Sequence, residues 1–184
     1  MMITLRKIFF LLLTVISFNG YCLTNEVISQ EKAKLIKFII NKTSWPSGSI
    51  PKDRFTICLL GEPENAKILQ QAFSKTQIKN RSLLVKALNK NEKAFPSCQI
   101  LYITEAEMEP NEQKQLIDQY AKYPLLLLSD MEHFAHNGGS MNFVILQKAV
   151  ALTVNMESLN KAKLSFDLKE LDQVIVVPDN DDLK

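Results

Sequence analysis

The sequence predicts an α/β fold: a single domain with a mixed, mostly parallel sheet flanked by helices, ending in a C-terminal antiparallel hairpin. Three observations carry this. Short apolar runs at 54–61, 98–104 and 123–130 alternate with stretches of helical period, which is the signature of βαβ crossovers. The chain has 184 residues, 46% of them apolar and 23% charged, a size and composition that suit one globular body with its own core. Near the end, SMNFVILQ and KAVALTVN follow each other with almost nothing between them, so they must pair antiparallel.

The first residues read as a leader. Arg6 and Lys7 precede an apolar run from Ile8 to Phe18. That run is about half the roughly twenty residues a helical membrane span needs. An N-terminal anchor is the competing reading, and the polar Asn19-Gly20 exit argues against it. Cleavage after Cys22 is expected, with a domain over 23–184. Asn19-Gly20-Tyr21 is not the small-apolar lead-in of a lipoprotein cysteine. Without residues 1–22 the chain has as many Lys and Arg as Asp and Glu, so its net charge is zero. No basic excess remains to drive nucleic-acid binding.

Residues 26–41 place Val27, Ala33, Ile36 and Ile40 near helical period, with Asn25 as a candidate N-cap. Ile28 at the third position after it means there is no capping box. Pro46, Gly48 and Pro51 then break the helix. RFTICLLG (54–61) reads as a buried strand, and EPENAKILQQAF as a helix with Pro63 in its first turn, where a missing N–H costs little. SLLVKAL (82–88) reads as a strand, as does CQILYIT. MEPNEQKQLIDQYAK is a helix with Pro110 early, and YPLLLLSD is a buried strand.

In the hairpin, Phe143 and Ile145 share one face of the first strand. Val150, Leu152 and Val154 share one face of the second. Its turn falls at Gln147-Lys148, neither of which favours positive φ. Gly138-Gly139 lets the chain turn sharply into the ribbon. MESLNKAK is then a short helix, SFDLKELDQ a second, and VIVV a last strand or extended tail, with PDNDDLK frayed.

Three cysteines less Cys22 leave Cys58 and Cys98, an even pair in an exported chain. The pair forms either a bridge, contributing about 3–4 kcal/mol in the chain-entropy model, or two buried free thiols. If the strands that carry them are neighbours, a bridge ties adjacent positions together.

Catalytic constellations are not apparent. The chain has no G-x-S-x-G, no P-loop and no dinucleotide fingerprint, so no cofactor is expected. His133 and His136 could share one face of a helical turn, but a metal site needs further ligands, so no metal is expected. Ser140, His136 and Asp130 lie within one short loop with nothing to suggest an activated triad. A cysteine nucleophile would require a free thiolate. Trp45 is either a partner anchor or a cap on the core beside Pro46.

The stretch GGSMNFVILQKAVALTVNMESLNKAKLSFDLKELDQVIVV resembles the C-terminal half of the YfiR-like family. It has the Gly-Gly, the short gap, Asn-Phe-Val, a hairpin returning to Val-Asn, a small helix and a Leu-rich last helix. A first helix running into SWP, then FTICLLGE, then a distant CQILYIT fit the front half, so the resemblance covers about residues 26 to 177. It implies a periplasmic, non-enzymatic regulator. Such a protein holds an inner-membrane diguanylate cyclase inactive by binding its periplasmic part, and so lowers cyclic di-GMP and biofilm formation. An outer-membrane lipoprotein and a second copy of the chain are further implied partners.

Cys58 and Cys98 match one disulfide pair of the family, while its second, C-terminal pair has no counterpart here. Gln147-Lys148 stands where many relatives have an Asp-Gly or Asn-Gly turn. Asn142 and Phe143 match the family motif and, with Trp45, are the expected partner-binding residues. The alternative is a periplasmic solute-binding accessory to a sensor kinase or outer-membrane receptor. It would use a pocket at the carboxyl ends of the parallel strands.

Overall fold

The computed structural model describes residues 25–74, 76–89, 92–104, 108–146, 149–169 and 174–178. The leader, Cys22 and the Gln147-Lys148 turn lie outside them. Among the described residues no helix is long and apolar enough to cross a membrane.

Helix α1 (Asn25–Lys42) buries Ala33, Ile36, Ile39 and Ile40, the face the periodicity predicts. The chain continues through β1 (Thr43–Ser44) into β2 (Arg54–Leu60), α2 (Pro63–Ala72), β3 (Gln77–Ile78) and β4 (Arg81–Leu88). Next come β5 (Ile100–Ile103), α3 (Pro110–Tyr120) and β6 (Leu126–Ser129). The ribbon is β7 (Met141–Leu146) and β8 (Ala149–Val154), followed by α4 (Met156–Lys161), β9 (Ser165–Phe166) and β10 (Val174–Val176). Pro63 and Pro110 open their helices at the first turn, as expected. Asn155 caps α4, its side chain accepting from the Ser158 N–H at 2.8 Å.

The eight-stranded sheet runs β10-β8-β7-β6-β5-β2-β4-β3. β4, β2, β5, β6 and β7 are parallel neighbours. β8 returns antiparallel to β7, and β10 runs parallel to β8. The single α/β domain with its mixed sheet is therefore as predicted.

Side-chain alternation splits the core in two. Ile57, Leu59, Ile100, Tyr102, Leu126 and Leu128 face α1 and α2. Cys58, Leu101, Ile103 and Leu127 face α3 and Phe134. Helices on both faces explain why these strands read as unbroken apolar runs.

Three details depart from the sequence expectations. SFDLKELDQ does not begin a helix: Ser165 and Phe166 form β9, which pairs with β1 through Thr43↔Phe166 and Ser44↔Ser165. Lys163, at φ 58°, stops α4, Phe166 is buried, and the Asp167 N–H donates to the Lys42 carbonyl. Tertiary pairing overrides local propensity there. β1 and β3 were not anticipated. β3 hairpins into β4 through Lys79-Asn80, both at positive φ.

Candidate partner-binding edge

Cys58 and Cys98 are bridged, with Cα atoms 5.7 Å apart and a sequence separation of 40. Cys58 lies in β2, and Cys98 lies just before its neighbour β5, so the bond ties adjacent positions. Both are buried.

The ribbon is mounted with care. Gly138 has φ +102°, a conformation that favours glycine. A Cβ on Gly139 would overlap the ring of Phe134, which is itself fully buried. The glycine pair thus has two distinct duties, a turn and a close approach. Asn142 is buried in β7. Its Oδ1 accepts from the Ala135 N–H at 3.1 Å, and its Nδ2 donates to the Phe143 carbonyl at 3.3 Å. The Asn155 Nδ2 donates to the Ala135 carbonyl at 2.7 Å. Two Asn side chains therefore satisfy both backbone groups of Ala135, which closes the loop over the ribbon's base.

On the opposite face, Phe143 packs edge-on against Tyr102, ring centroids 5.9 Å apart. The Tyr102 hydroxyl donates to the Asp130 carboxylate, 2.9 Å from Oδ1 and 2.8 Å from Oδ2. Lys32 of α1 pairs with the same carboxylate at 2.8 Å. Burial, then the charge of Asp130 and the bond to it, pushes the Tyr102 phenol well above its ordinary pKa, so it stays a donor. This cluster stands at the carboxyl ends of β5 and β6, where Thr104 and Asn65 complete a crevice of about 110 Å³.

Above this level the ribbon stands alone. β6 pairs with β7 only at Leu128↔Met141 and Ser129↔Asn142, while β7 and β8 stay paired up to Leu146↔Ala149. Val144, Ile145 and Leu146 therefore have β8 as their strand partner and, among the described residues, no strand on the other side. Ile145 is 59% exposed and Leu146 46%, on opposite faces of the ribbon. Beside β8, β10 forms the sheet's open edge, with Ile175 41% and Val176 45% exposed. Ile145 and Leu146 stand level with Val150 and Ala149 at the ribbon's tip, whereas Ile175 and Val176 stand level with Thr153 and Val154 at its base, so the exposed aliphatics form two separate patches on this side of the sheet. An apolar strand end of this kind is a candidate interaction surface.

The three expected contact residues are not brought together. Asn142 and Phe143 face inward and hold the ribbon. Trp45 lies at the amino end of β2, partly buried, with its ring edge-on to Phe55 at 5.1 Å. Its indole N–H is buried and has no acceptor among the described residues. Sequence reasoning passed over Ile145 and Leu146 as site residues, although a signal was present. Two consecutive aliphatics beside a hairpin turn break strand alternation, so one of them must face away from the core.

His133 and His136 stack edge-on at 5.7 Å. Among the described residues no group of three or more His, Cys, Asp or Glu side chains could hold a metal ion.

Two comparisons with known proteins bear on this arrangement. A family model described as YfiR/HmsC-like matches residues 29–171, from the second turn of α1 to just short of β10. No curated protein matches the chain.

Proposed function

The chain belongs to the YfiR/HmsC-like family, and from that premise we propose that it is a periplasmic regulator that binds and represses an inner-membrane diguanylate cyclase. Residues 1–22 direct export and are removed. The body then acts without catalysis, binding the cyclase's periplasmic part in its inactive state more tightly than in its active one. Cyclic di-GMP falls, and biofilm formation with it.

The observation that carries this reading is the ribbon end, with Ile145 and Leu146 exposed on its two faces. Burying the exposed half of each such side chain in a complex contributes about 1 kcal/mol, and a free strand edge offers main-chain hydrogen bonds as well. Asn142 and Phe143 enter as the residues that set the ribbon's angle, while Trp45 stays with the body. The buried Cys58–Cys98 bond clamps that body. An outer-membrane lipoprotein competing for the same apolar surface would release the cyclase, and a second copy of the chain could cover it in the meantime.

The crevice that a solute-binding accessory would use is small, and Lys32, Asp130 and Tyr102 already pair across it. That supports the regulator over the alternative. Deleting the gene and measuring cyclic di-GMP tests the reading: a rise is expected, and an unchanged level contradicts it.

A further inference from the structure

A longer groove lies away from the ribbon end, between α3 and α4, with a volume of about 540 Å³. One wall is the length of α3, ~16 Å at the usual helical rise. The other is the 136–138 segment with α4. Its chemistry is neutral and rich in carboxamides. Asn111, Gln113, Asn137 and Asn155 all line it, together with the Ser158 hydroxyl. Each charge along the walls has its own counter-charge one helical turn away: Lys114 with Asp118 at 3.0 Å, and Lys161 with Glu157 at 2.7 Å. Besides the His136 imidazole, which also lines it, the groove therefore offers no unbalanced side-chain charge for an ionic ligand.

Gln113 is the informative residue. It is only 7% exposed, yet it lines the groove. One end of its amide is engaged by Asn137, Nδ2 to Oε1 at 3.3 Å. The other end has no partner among the described residues and is not fully buried, in a residue that lines the groove. Exchanging oxygen and nitrogen in both amides leaves the same result, one end engaged and one free. A side chain held this firmly, with one amide end still accessible, can exchange solvent for a ligand's hydroxyl at little ordering cost. Beside it, Gly138 presents bare backbone, and Pro110, Ile117 and Ala121 form an apolar strip along the α3 wall.

Planar amides that offer a donor and an acceptor side by side match vicinal hydroxyls, and an apolar strip matches the C–H face of a pyranose ring. The usual peptide modes need a sheet edge, a wide apolar groove, an aromatic-lined groove or an Arg cluster, and none of these is among the residues lining this groove. We propose that the α3–α4 groove binds a neutral saccharide, with the free end of the Gln113 amide hydrogen-bonding a ring substituent. This site is independent of the regulatory reading and of the ribbon end.

The test is titration of the purified protein with cellobiose and with N,N′-diacetylchitobiose, followed by saturation-transfer NMR and calorimetry. Millimolar binding of at least one is expected, weakened about three- to tenfold by Gln113→Leu. Asn111→Ala, at an exposed position, should also weaken it and covers the case in which Gln113→Leu fails to fold. Ile145→Asp should leave saccharide binding unchanged, which separates this result from the fate of the regulatory reading. Absence of binding by both sugars would overturn the proposal. So would binding that neither groove variant weakens, or stronger binding of tri-alanine in the same groove.

Discussion

In the parallel body, β2 buries every residue from Phe55 to Leu60, and β5 and β6 bury all of theirs. In the ribbon, β7 buries Met141 to Phe143 and then emerges, ending in two exposed aliphatics, while β10 has no fully buried residue. The two regions are about equally apolar in sequence. What differs is cover: the body has helices on both faces, whereas at the ribbon's end β7 exposes Ile145 and Leu146 even though Val150, paired with Ile145, is buried. Apolar residues in the body are there for stability. The same residue types at the ribbon's end are exposed, and in the proposed reading they meet the partner.

Substitutions can break that contrast if it is wrong, and the largest effect should come from the body's clamp. Replacing Cys58 and Cys98 together by Ser should cost about 2–4 kcal/mol in denaturant unfolding. A loss near zero would mean the bond constrains little.

At the junction of the two regions, Asn142→Ala strips the acceptor from the Ala135 N–H. It should cost about 1–3 kcal/mol by the same measurement, and hydrogen exchange should quicken at Ala135 and through β7. Exchange confined to residue 142 would show that the ribbon's mounting does not depend on this side chain.

Tyr102→Phe, which removes the donor to Asp130, should cost about 1 kcal/mol. It also has a pH signature. The folded-state pKa of Tyr102 is raised. Its contribution is therefore fully present below the ordinary phenol value of about 10 and is lost as pH rises above that value. The variant should lose less stability than wild type on going from neutral to strongly alkaline pH.

Smallest in stability, and largest in function, is the ribbon's end. Ile145→Asp with Leu146→Asp should change unfolding free energy by no more than about 0.5 kcal/mol. A large destabilisation would mean these side chains pack within the chain after all.

Much of this division was legible in the sequence. Strands covered on both faces must be continuously apolar, so RFTICLL and LLLLS announced themselves, and two β-rich runs with no linker could only form a hairpin. The two-residue strands β1, β3 and β9 were not legible, because their pairing is made by the tertiary structure. Phe166 belongs to β9 only because the end of α1 lies beside it. Asn142 was picked out as a motif residue, but its work depends on a loop N–H seven residues back that no spacing rule locates. Likewise Gly139 read as a turn residue, whereas the structure uses its missing Cβ to admit Phe134. The groove along α3 was not legible either. Gln113 looks like one polar residue among many on an exposed helix until the 136–138 segment covers it.

The most direct test uses cells lacking the gene, complemented with either wild type or the Ile145→Asp/Leu146→Asp protein, with export and thermal stability confirmed and cyclic di-GMP measured. Wild type should return the level to its low value, while the folded variant leaves it raised. Full repression by the variant would contradict the assignment of the ribbon's exposed end as the surface that meets the cyclase.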